Sequence, residues 1–91
     1  AAMAYGTDGA IAALGLVVLA DDQGAQIVYA PAPVVRGAVL REYPQLPSLL
    51  DPVFNSLTLD ILQHLNAKIA VDGEDAGAVA TGYLKSRHFL P

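Results

Sequence analysis

Three apolar runs crowd into the first 35 residues, AAMAY, LGLVVLADD and IVYAPAPVV, and no fourth follows. Each has the composition of a strand and each is stopped by Gly, Asp or Pro. A strand satisfies its backbone N–H and C=O groups only beside other strands. Pro31 and Pro33 donate nothing to a ladder, so the third run belongs at a sheet edge or in a crossing between sheets. Three such segments are too few for a satisfied sheet of their own. Two architectures remain: a small α+β domain, or the C-terminal piece of a larger α/β protein whose other strands complete the sheet.

Composition sharpens the choice. Ninety-one residues with 54% hydrophobic and 15% charged content make one packed unit rather than a disordered chain. A domain this small buries only roughly 60–65% of its unfolded surface, so part of the apolar excess is expected to meet another surface. The run AAMAY at residue 1 reads as the interior of a strand, with no basic-then-apolar leader pattern in the stretch. No run reaches the ~18 apolar residues of a membrane helix. The net charge is −4, and Arg36, Arg41, Lys68, Lys85 and Arg87 are scattered, which excludes a nucleic-acid footprint. The absence of cysteine removes disulfides, thiolate nucleophiles and Cys-ligated zinc from this stretch.

The rest of the chain reads as helix. TDGAIAAL supports about two turns, with Thr7 or Asp8 as N-cap. RGAVLREY should stop at Tyr43, because Pro44 disfavours helical backbone in the residue before it. Asp51-Pro52 is an N-cap and N1 pair, which predicts two short helices within LPSLLDPVFNSL. Thr58 caps TLDILQHLNAKIA, with Leu62, Leu65 and Ile69 as its apolar face. Asp75 caps the last helix, whose apolar face is Val79, Tyr83 and Leu84. Gly77 and Gly82 weaken that helix by about 1 kcal/mol each, so it should depend on docking.

Catalytic patterns are absent. His64 and His88 have no ligand-spaced partners and read as surface or capping residues. Ser48, Ser56 and Ser86 lack a nucleophile elbow. Gly6-Thr-Asp-Gly9 has neither the Lys of a phosphate loop nor the third Gly of a dinucleotide fingerprint. Asp21 and Asp22 lack the alternating oxygens of a calcium loop and read as a solvated strand end. Tyr43 and Tyr83 sit at packing positions. Tyr5 and Tyr29 each end an apolar run beside Gly or Pro, where a side chain packs on a neighbour or projects into a cleft. Converging electron-rich rings form a box for a quaternary ammonium group, which offers no hydrogen to a donor-acceptor pair and is held by cation–π attraction.

MAYGTDGAIAALGLVVLADD, then APVV, REYPQL and LNAKIAVDGED, resemble in order and spacing the C-terminal third of a known family. It comprises the substrate-binding proteins of quaternary-amine ABC transporters, which serve glycine betaine, choline, carnitine and related osmoprotectants. The resemblance covers nearly the whole chain. It implies an α/β architecture, the C-terminal part of a two-lobed periplasmic-binding-protein (type II) fold, here a few short strands followed by about four helices. It also implies that residues 1–20 end one lobe and supply the crossover strand, while residues 21–91 form the C-terminal part of the other lobe.

In the family the ammonium head lies in a cage of aromatic residues between the lobes, and the resemblance places Tyr5 and Tyr29 in that cage. The segment before Tyr29, AQIV, departs from the aromatic and prolines common there. Arg36 reads as a solvent-facing helix start, not as a carboxylate clamp. The implied function is that of a non-enzymatic, extracytoplasmic component that captures the osmolyte and delivers it to a permease, without cofactor or metal. Its implied partners are the quaternary ammonium ligand, the ABC permease, and either the N-terminal remainder of the protein or a second chain by strand exchange. The rival reading is a small α+β protein-interaction module with no small-molecule ligand.

Overall fold

A computed structural model describes residues 1–26 and 30–91. Along them run five helices: α1 (Gly9–Ala13), α2 (Gly37–Glu42), α3 (Leu46–Ser56), α4 (Leu59–Ala70) and α5 (Ala76–Ser86). They fall into two bodies, one made of residues 1–20 and 57–91, the other of residues 21–56.

The first body is organised on α4. Thr58 begins that helix, its Oγ1 accepting the Ile61 N–H at 3.3 Å, and Asp60 and Lys68 suit the positive and negative ends of the helix dipole. Its exit is a turn in which Gly73 takes the left-handed φ of 74° and Glu74 N–H reaches Lys68 O at 2.9 Å. Helix α4 packs extensively against α1 and along a shorter contact against α5. Ile11 of α1 and Val79 of α5 supply the buried apolar side chains. The expected face Leu62, Leu65 and Ile69 is only partly realised: Ile69 is exposed and Gln63 is buried in its place. The segment that begins at Gly6 and enters α1 lies on that side of the helix: Gln63 donates to Gly6 O, and Gly9 sits against the backbone of Asn66 and Ala67.

Asp8 is the N-cap of α1, accepting the Ala10 N–H at 2.9 Å. The helix closes through Gly15 at φ 60°, with Leu16 N–H bonded to Ile11 O at 2.9 Å, the six-to-one closure that a left-handed residue permits. Helix α5 starts at Asp75, whose Oδ1 accepts the Ala78 N–H at 2.8 Å. It ends in the same manner with His88 as the left-handed residue.

In the second body α2 stops at Glu42, one residue before Tyr43-Pro44, and Arg36 precedes it without a side-chain cap. One sequence expectation fails here. Residues 46–56 form a single helix with Pro52 inside it, not two short ones. The half-buried residues Leu46, Leu50, Val53 and Phe54 recur at helical spacing across the proline. That stripe favours continuity, and the proline withholds only the rung to Ser48 O.

The short strands are the second correction. None forms among the described residues, although AAMAY, residues 16–21 and residues 30–35 run without helix. A strand needs a paired neighbour, and none of these segments has one within the described chain. Leu14 and Gly15 belong to the exit of α1. Beyond them Leu16, Val17, Val18 and Leu19 stand exposed, Val17 at 86%.

Candidate ligand-binding site

Tyr5 is the first residue of a turn built from the chain's own backbone. Asp8 N–H donates to Tyr5 O at 2.9 Å, closing residues 5–8, and the Asp8 side chain ties the turn to the start of α1. Gly9 follows, pressed against α4 so closely that a Cβ there would overlap the backbone of Asn66 and Ala67. Only glycine permits this approach.

Two side-chain amides of α4 reach the same turn. Gln63 Nε2 donates to Gly6 O at 2.7 Å, and Asn66 Nδ2 donates to Thr7 O at 2.7 Å. A carbonyl oxygen only accepts, so each amide must present its NH2 group. Gln63 is 8% exposed and is the buried polar side chain among the described residues. Neither amide was singled out by the sequence. No sequence pattern marked them, because α4 also carries Asp60, His64 and Lys68 and the partners of the two amides are main-chain carbonyls.

Held this way, Tyr5 stands at the rim of a shallow depression of about 320 Å³ that Thr7, Asp8, Asn66, Ile69 and Ala70 also line. Its side chain is largely accessible, at 71%. One aromatic ring, aliphatic walls and the Asp8 carboxylate near the edge suit a cation better than an anion. Tyr29, the other expected cage residue, lies outside the described residues.

Tyr83 is not brought to this depression. It lines a separate groove of about 450 Å³ between α4 and α5, with His64, Lys68 and Arg87. The Arg87 guanidinium stands 5.7 Å from the Tyr83 ring centre, so that ring already faces a cation. In the same groove His64 Nδ1 lies 2.7 Å from Asp60 O, and because a carbonyl only accepts, Nδ1 is the donor. Tyr43 belongs to the other body. Among the described residues no cluster of three or more His, Asp or Glu side chains is arranged to hold a metal, and no helix is long and apolar enough to cross a membrane. Asp21, at the start of the second body, folds the following loop onto itself. Its carboxylate accepts Gln26 N–H at 2.7 Å and Ala25 N–H at 3.1 Å, and these bonds hold its pKa below the usual value.

Comparison with known proteins gives a consistent result. Residues 1–86 match the family model for the substrate binding domain of the ABC-type glycine betaine transport system. The chain is 64% identical over 87 residues to the glycine betaine-binding protein YehZ of Escherichia coli strain K12, covering 96% of this chain and 28% of that protein. It is 34% identical over 84 residues to a glycine-betaine-binding protein of Pseudomonas aeruginosa, covering 92% of this chain and 27% of that one. The solved structure of apo YehZ from Escherichia coli superposes with a TM-score of 0.89 at 61% identity, over 96% of this chain and 31% of that chain. The chain thus has the fold of part of a periplasmic binding protein, and it spans less than a third of the relatives it matches.

Proposed function

The chain belongs to the family of substrate-binding domains of ABC-type glycine betaine transport systems, and from that premise we propose that it contributes one wall of a site for a quaternary ammonium osmolyte. The intact protein would be an extracytoplasmic receptor that captures glycine betaine, choline or a similar solute and hands it to a membrane permease. The observation that carries this reading is Tyr5, exposed at the rim of a depression and fixed to α4 through the turn that follows it. The names of the two relatives, both glycine betaine-binding proteins, support the choice of ligand.

Recognition runs through ring faces. The ammonium group spreads its positive charge over methyl groups and donates no hydrogen bond, so electron-rich rings replace its water at modest cost. Each ring contributes about 0.5–2 kcal/mol, more where the site is dry. Tyr5 would form one wall; the family resemblance would add Tyr29 as a further ring, and the remaining rings and the partners of a ligand carboxylate would come from other parts of the intact protein. A ligand that touches both lobes favours their closed arrangement by its differential affinity, which is how binding becomes a signal to the permease.

The boundary near residue 20 is the proposed crossing between lobes. The run Leu16–Leu19 would then be a strand whose partners are supplied by the remainder of the protein. This gives its exposed apolar side chains a destination. Titration calorimetry with glycine betaine and choline tests the site. Tyr5→Ala in the intact protein should weaken binding by between about 2-fold and 30-fold. Unchanged affinity would remove Tyr5 from the site.

A further inference from the structure

We propose that Gln63 and Asn66 are positioning residues for the ligand: the two amides, one turn apart on α4, grip the backbone after Tyr5 and so set where its ring stands. The inference rests on the reading of Tyr5 as a wall of the ammonium site and extends that reading into the layer behind it.

Three observations carry it. Both amides donate to consecutive carbonyls of one turn, at 2.7 Å each, across 57 and 59 residues of sequence. Gln63 is buried, and a buried amide is tolerated where its hydrogen bond is made. The first grip falls on Gly6, the residue with the greatest backbone freedom in the turn and the immediate neighbour of Tyr5. Without that bond the Gly6–Thr7 peptide is no longer tied to α4, and the turn that Tyr5 opens can shift relative to the helix. The bonds inside residues 5–10 close the turn locally. The two amides fix it to the rigid helix that lines the depression, and preorganisation of this kind appears as affinity.

Isosteric changes test the idea in the intact protein. Gln63→Glu and Asn66→Asp keep the side-chain shape but replace the donating NH2 by an oxygen that repels a carbonyl. Glycine betaine affinity is measured by calorimetry for the parent protein, Gln63→Glu, Tyr5→Ala and the double variant, with thermal melts establishing that each is folded. The expected result is a loss of about tenfold for Gln63→Glu that shrinks to less than about twofold when Tyr5 is already alanine. An equal loss in both backgrounds would make Gln63 a structural support only. No loss for Gln63→Glu beside a clear loss for Tyr5→Ala would also overturn the positioning role while leaving the Tyr5 site standing. No effect of Tyr5→Ala would sink both. If Gln63→Glu does not fold, Asn66→Asp at its half-buried position runs the same cycle with the same criteria.

Discussion

Two stretches of the first body lie side by side in sequence and are treated in opposite ways. Residues 5–13 are held on every side: the turn is closed by its own backbone, gripped by two amides, and followed by a glycine seated on α4. Residues 16–19, Leu-Val-Val-Leu, are more apolar and have almost nothing around them. Hydrophobicity therefore does not decide which stretch is anchored within this chain. Anchoring follows from the partners the chain itself provides, and a helix partner is at hand where a strand partner is not.

Breaking the anchored side should have the largest effect. Gly9→Val puts a branched side chain into the backbone of α4. A loss of about 3 kcal/mol is expected in denaturant unfolding of the intact protein. A loss below about 1 kcal/mol would mean that α1 can lift off α4 freely. The unanchored side is probed by Val17→Asp. On the exposed surface seen here the change should lie within about 0.5 kcal/mol. If the rest of the protein covers this run, the same change in the intact protein should cost about 2 kcal/mol or more. Unfolding midpoints of the intact variant discriminate between the two.

Smaller effects come from the helix that completes the anchored side. Asp75→Ala removes the side-chain acceptor for Ala78 N–H and should lower stability by about 1 kcal/mol. Hydrogen exchange in the first turn of α5 would register the change. The smallest effect concerns Asp21, where the loop of the second body is tied by a carboxylate. Its pKa is depressed by the bonds from Gln26 and Ala25, from a usual value of 3.8. A depressed folded-state pKa means that the unfolded chain takes up the proton first. The contribution is thus complete above the usual value and disappears as pH falls through the lowered one. A pH titration of the carboxyl resonance should give a midpoint below 3.8, and because the group is exposed its influence on global stability should be slight.

Much of this was legible in the residues. Thr7-Asp8, Thr58 and Asp75 announced three helix starts, Asp8 being the cap of the first pair, because capping is a local affair between a side chain and an N–H two or three residues on. Pro44 fixed the end of α2 for an equally local reason. Asp51-Pro52 misled because a local cap competes with a stripe of side chains that spans the whole of α3. The strands misled differently: their composition is right, but pairing needs a neighbouring strand, and none forms among the described residues. At the site, Tyr5 could be singled out as a ring beside a tight turn. Gln63 and Asn66 could not, because their targets are main-chain carbonyls, which leave no mark in the sequence.

The separation of those contacts also sets an order of events. A chain that emerges N-terminal end first presents the Tyr5 turn long before Gln63 exists to hold it, 57 residues later. Closing a loop of that size costs about 3–4 kcal/mol in chain entropy beyond a fixed term, and such distant contacts belong to the slow end of folding. The turn that carries the ring is therefore among the last pieces to become rigid. A molecule caught partway would have its helices in place and the turn beside Tyr5 still unset.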